Sequence, residues 1–116
     1  MSEQPTLLVV IYADPEKSGL TAEALRIAMG LGAGRRTVQV VLMGPAAKVL
    51  GDDLDDLVDG EMIEKHLEVF EEWGTPFHVG GAGPDEFPDA AVEVVPVDEA
   101  TVARMMAEAD QVMVFP

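Results

Sequence analysis

Cysteine is absent from all 116 residues. That removes disulfides, thiolate metal sites, iron–sulfur clusters and every mechanism built on a cysteine nucleophile. Basic residues are scarce as well: seven Lys and Arg stand against 22 Asp and Glu, a formal charge of −15. A nucleic acid approaching such a chain meets repulsion and releases no counterions onto it, so no nucleic-acid partner is expected. Long apolar runs are also missing. No stretch approaches the roughly 18 to 20 residues that span a bilayer, and the opening Met1-Ser2-Glu3-Gln4 lacks the basic start of a signal peptide, so a cytoplasmic protein without membrane contact is expected.

What is present is enough for one domain. Hydrophobic residues make up 48% of the chain and come in short runs, the composition of a globular protein, and the length suits a single core over residues 1–116. The charge is uneven. Residues 1–51 hold five bases and four acids, whereas residues 52–116 hold two bases and 18 acids. A solvated acidic face is the plain reading; a salt-adapted host or an electropositive partner is the alternative.

Strand and helix patterns alternate. Leu7-Leu8-Val9-Val10-Ile11-Tyr12 is continuous and β-branched, as a strand covered on both faces reads. Leu20, Ala24, Ile27, Ala28 and Leu31 recur at helical spacing up to Gly32, and Arg35-Arg36 lie near that helix's negative end. Thr37 to Met43 reads as a second buried strand, stopped by Gly44-Pro45 before a helical turn over Ala46 to Leu50. From Glu61 to Trp73, the residues Met62, Ile63, His66, Leu67, Phe70 and Trp73 form one stripe, and Gly74 closes the helix. Phe77-His78-Val79 is a short third strand, and Val92 to Val95 a fourth, closed by Pro96. Asp98 is a suitable N-cap for a helix carrying Val102, Met105, Met106 and Ala109, and Gln111 to Phe115 is the last strand. The pattern predicts a three-layer α/β/α sandwich around a mostly parallel sheet of about five strands.

In such a sheet ligands bind beyond the carboxyl ends of the strands. This nominates Tyr12, Asp14, Gly44, His78, Gly80 and Gly81, with Lys17 and Ser18 on the loop that opens the first helix, as candidate ligand-binding residues. The helix start could hold an anion with help from Lys17 and Ser18, but the loop is neither a Walker A motif nor GxGxxG. An ordinary strand-to-helix connection capped by Ser18 is the plain alternative. Gly80-Gly81-Ala82-Gly83 is either a ligand-contacting nest or a flexible strand exit. His66 and His78 have no partner at metal-ligand spacing and read as buried histidines. The acids from Asp52 to Glu61 do not fit an EF-hand, because Leu57 falls where the Asp55 register needs an oxygen ligand. No catalytic residue, metal or cofactor is nominated.

Leu7 to Asp14, Ala24-Leu25-Arg26-Ile27-Ala28, the run VQVVLMG from Val38 to Gly44, Met62 to Gly74, Pro76 to Gly83 and ADQVMVF from Ala109 to Phe115 together resemble the DsrE/DsrF-like, TusD-like sulfur-relay family. The resemblance implies a cytoplasmic homo-oligomer, a trimer or hexamer, or association with a DsrE-type partner subunit. In catalytic members a cysteine in the loop after the third strand carries sulfur as a persulfide; here that stretch is Gly80 to Gly83. The expected function is therefore a non-catalytic, oligomeric binding or assembly subunit without persulfide transfer. The alternative is a protein or enzyme that holds a nucleotide, flavin or other anion in the cleft at the strand ends.

Overall fold

The computed structural model describes residues 6–34, 37–81, 86–88 and 90–116. Eight principal elements follow in order: β1 (Thr6–Ile11), α1 (Leu20–Gly32), β2 (Thr37–Leu42), α2 (Gly60–Trp73), β3 (Phe77–Gly80), β4 (Val94–Val97), α3 (Glu99–Glu108) and β5 (Gln111–Phe115). Two 3₁₀ segments, Gly44–Leu50 and Leu54–Asp56, occupy the excursion between β2 and α2.

The five strands form one wholly parallel sheet in the order β4-β3-β2-β1-β5. β1 is flanked by β2 and β5, and its side chains from Leu7 to Ile11 are buried on both faces, which is why its sequence runs apolar without alternation. On one face Leu7, Val9 and Ile11, with Val40, Leu42, Phe77 and Val79, pack against α1 and α2. On the other, Leu8, Val10 and Val41 meet α3 through Val102, with Met105 and Ala109 beside it. The three-layer sandwich expected from the alternation is the architecture found.

The large core draws on α1 through Ala24, Leu25 and Ala28 and on α2 through Ile63, Leu67 and Phe70. Each fully buried Leu, Ile or Phe side chain contributes about 1.5–3 kcal/mol relative to exposure. Phe70 meets Phe77 edge-on with centroids 5.2 Å apart, fixing α2 over β3. α2 ends where expected: Gly74 takes φ 70°, its N–H bonds Glu71 C=O, and Thr75 N–H reaches back to Phe70 C=O. Asp98 caps α3 by accepting the Thr101 N–H at 2.8 Å.

Several expectations need correction. The α2 stripe is narrower than its apolar sequence, since Met62 and Trp73 are 45% and 42% exposed. Met106 of α3 is likewise exposed, because among the described residues α3 is the one helix on that face and meets the sheet along one line. The fourth strand is displaced by two residues, and Pro96 lies inside it rather than after it. β4 is an edge strand, and there a proline nitrogen that points outward breaks no bond of the sheet. Arg35-Arg36, Met1 to Gln4 and the Ala82-Gly83 half of the glycine stretch lie outside the described residues.

Candidate functional site

Parallel pairing sets Ile11 beside Leu42 and Leu42 beside Val79, so the residues that follow β1, β2 and β3 share one end of the sheet. Tyr12 follows β1, is 44% exposed and donates its N–H to Phe115 C=O at 2.8 Å. Asp14 begins a tight turn: its Oδ1 accepts the Glu16 N–H at 2.9 Å, and its carbonyl accepts the N–H groups of Lys17 and Ser18. Such Asx geometry satisfies the backbone locally and leaves few free donors for an anion.

The first helix starts one residue later than a Ser18 cap would require. Gly19 holds the cap position, while Ser18 Oγ still accepts the Leu20 N–H at 3.3 Å. Buried Thr21 donates its hydroxyl to Ala13 C=O at 2.8 Å and pins the helix start to the loop. The segment before α2 closes over the same loop through the Val58 N–H, which donates to Pro15 C=O at 2.7 Å. This loop is a well-bonded strand-to-helix connection.

Lys48, which the sequence reading did not single out, reaches this loop from the 3₁₀ segment after β2. Its Nζ lies 3.2 and 3.3 Å from the two Asp14 oxygens and 3.3 Å from Glu16 Oε2. Asp14 is held below its ordinary carboxylate range, first by the Glu16 amide, against partial desolvation, and then by Lys48 and more distantly Lys17. Desolvation pulls the Lys48 ammonium down, but its hydrogen bonds to Asp14 and Glu16 outweigh that and raise it. The one signal in the sequence was position: Lys48 is the only base between Arg36 and Lys65, on the connection that leaves a central strand at the ligand end. Lys17 itself stays exposed on the loop.

Gly44 is exposed with φ 56° and Gly81 has φ 79°, so both turns use backbone that L side chains rarely adopt. Gly81 N–H donates to Val97 C=O at 3.2 Å. Gly80 is tighter: a β-carbon there would stand 2.5 Å from Met43 Sδ. His78 is half-buried, with Nδ1 3.3 Å from Val40 C=O, whereas His66 is 5% exposed inside the α1–α2 contact. Among the described residues no group of three or more His, Asp or Glu is placed to hold a metal ion, and no helix is long and apolar enough to cross a membrane.

The arrangement can therefore turn and hold backbone, and of its two lysines Lys48 is already shared by two carboxylates while Lys17 is exposed. A cavity of about 410 Å³ lies elsewhere, at the opposite end of the sheet, between the ends of α1 and α2 at Gly32, Phe70 and Trp73. It is remote from the residues nominated by the strand-end rule.

No family model and no curated protein matches the chain. Among solved structures, the crystal structure of the ychN protein from E. coli is similar over 97% of this chain and 100% of its own, with a TM-score of 0.75 and 19% identity. That protein has the DsrE-like fold, and at this identity the likeness concerns fold: the DsrE-like architecture implied by the sequence resemblance is the architecture of this chain.

Proposed function

We propose that this chain is an oligomeric binding or assembly subunit built on a DsrE-like fold, without persulfide transfer. The observation that carries the reading is at the exit of β3. A glycine packed against Met43 stands there, in a chain with no cysteine at any position. A persulfide needs a thiolate to accept the sulfur, and nothing in this sequence can become one. In this reading Tyr12, Asp14, Lys17, Ser18, Gly44 and Gly81 belong to the strand-end surface of such a subunit, with His78 and Gly80 packed in β3 behind it, rather than to a reactive centre. A cytoplasmic trimer or hexamer, or association with a DsrE-type subunit, is the setting the resemblance supports.

The ion pairing of Lys48 favours this reading over an anion-binding cleft. An incoming phosphate would have to displace two carboxylates and then lie beside them. Light scattering on the purified protein is expected to give a mass of more than one chain, and a screen of nucleotides, flavins and phosphorylated metabolites to leave the melting temperature unchanged. A strictly monomeric protein that forms no complex with a DsrE-type subunit overturns the proposal. Clear thermal stabilisation by one of the anions would transfer the assignment to the cleft, because selective binding to the native state raises stability.

A further inference from the structure

The two edges of the sheet are unlike. Gly81 N–H bonds Val97 C=O and Phe77 N–H bonds Glu93 C=O, so residues 93, 95 and 97 direct their backbone polar groups toward β3. Alternation then turns those of residues 94 and 96 outward. Position 96 is proline, which has no N–H to offer. The β4 edge is thus blunted by one of the devices that keep sheets from pairing with one another.

β5 carries no such device. Tyr12 N–H bonds Phe115 C=O, so residues 111, 113 and 115 face β1, and Val112 and Val114 turn both N–H and C=O outward. The strand Gln-Val-Met-Val-Phe has no charge, proline or glycine, and Val114 is 45% exposed. Among the described residues no strand lies beyond it. In a chain of formal charge −15, an uncharged edge is where two copies can approach without opposing carboxylates.

We propose that the β5 edge pairs antiparallel with β5 of a second copy, about a two-fold axis at Met113. This rests on the assembly reading above and names its surface. The sequence is symmetric about that residue, Val112-Met113-Val114, so the two-fold sets each Val112 opposite Val114 of the second copy. The outward groups of these residues then form two hydrogen-bonded pairs, and the two Met113 residues face each other as a non-hydrogen-bonded pair with Cα atoms about 4.5 Å apart. Asp110 precedes the strand, and in this register the two copies of Asp110 stand at opposite ends of the ladder, about 20 Å apart. That exceeds the roughly 8 Å screening length at physiological salt. The Pro116 that follows β5 ends the ladder.

The test exploits the absence of native thiols. Met113→Cys is expected to give an oxidised, reducible dimer on non-reducing gels, since about 4.5 Å lies within the Cα range of a disulfide. Val114→Pro removes an outward N–H only, so it should leave the fold intact by circular dichroism, abolish the Met113→Cys cross-link and raise the dimer dissociation constant about tenfold or more. Should Val114→Pro fail to fold, Val114→Lys at the same exposed position makes the same test. An oligomer of unchanged mass and affinity in both variants overturns the β5 interface while leaving the assembly reading standing. A wild-type protein that is monomeric throughout overturns the β5 interface, and it overturns the assembly reading as well if it also forms no complex with a DsrE-type subunit.

Discussion

Met43 Sδ occupies the space beside Gly80 so closely that a β-carbon on the glycine would stand 2.5 Å from the sulfur and 2.9 Å from the methyl carbon. The two residues sit at the ends of neighbouring strands, and the exit of β3 is shaped by the missing side chain as much as by the methionine that fills its place.

This contact predicts a coupled pair. Gly80→Ala should destabilise the protein by about 1–2 kcal/mol, the cost of forcing a filled site to rearrange, moderated because a methionine end is flexible. Met43→Ala removes the obstacle. In the double variant the Gly80→Ala penalty should largely vanish, giving an interaction energy of at least about 0.5 kcal/mol in a cycle measured by urea unfolding. Additive single effects would show that the glycine is required for some other reason.

Those same strands show what the sequence could and could not reveal. β1, α1, α2 and β5 were legible because each is a long run of one period, and α3 was marked by the Asp98 cap. β4 was misplaced because a proline inside a strand reads as a stop unless the strand is known to be an edge, and edge position depends on strand order. Strand order has no local signature. For the same reason Tyr12, Asp14 and Gly80 could be assigned to one end of the sheet, but the Lys48–Asp14 pair, which joins residues 34 positions apart, could not be seen.

Removing that cation tests the electrostatics of the loop. Lys48→Gln should raise the Asp14 pKa measured by carboxyl NMR titration, yet leave it below the ordinary value, because the Glu16 amide still donates to Oδ1. Asp14 is depressed in the folded state, so its contribution to stability is present above the unfolded value near 3.8 and is lost as pH falls through the folded one. Wild type and variant should therefore diverge at neutral pH and converge in acid. An Asp14 titration identical in the two proteins would exclude the ion pair in solution.

The hydroxyl of Thr21 is expected to matter more than its size. It is fully buried and donates to Ala13 C=O at 2.8 Å. Thr21→Val keeps the shape but leaves that carbonyl without this donor, at a cost of about 1–3 kcal/mol. Thr21→Ser retains the hydroxyl and should recover part of the loss. Chemical denaturation separates the cases, and equal destabilisation by Val and Ser would show that the methyl group, not the hydrogen bond, is what the site needs.

His66 gives the protein a pH dependence of opposite origin to that of Asp14. Its imidazole is 5% exposed on α2, and burial, assisted by the nearby Arg26 charge and opposed by Glu23, lowers its pKa below 6.5. Between that lowered value and 6.5 the unfolded chain binds more protons than the folded one, so stability rises with pH through the window and falls on acidification. Replacing the ring with an uncharged side chain in His66→Leu should flatten the melting temperature between about pH 5 and 7 relative to wild type, where His is the side chain that ordinarily titrates. The α1–α2 contact should remain closed in the variant, because Ile63, Leu67 and Phe70 still fill it. A variant whose melting temperature falls with acid as steeply as that of wild type would assign the dependence to the carboxylates instead.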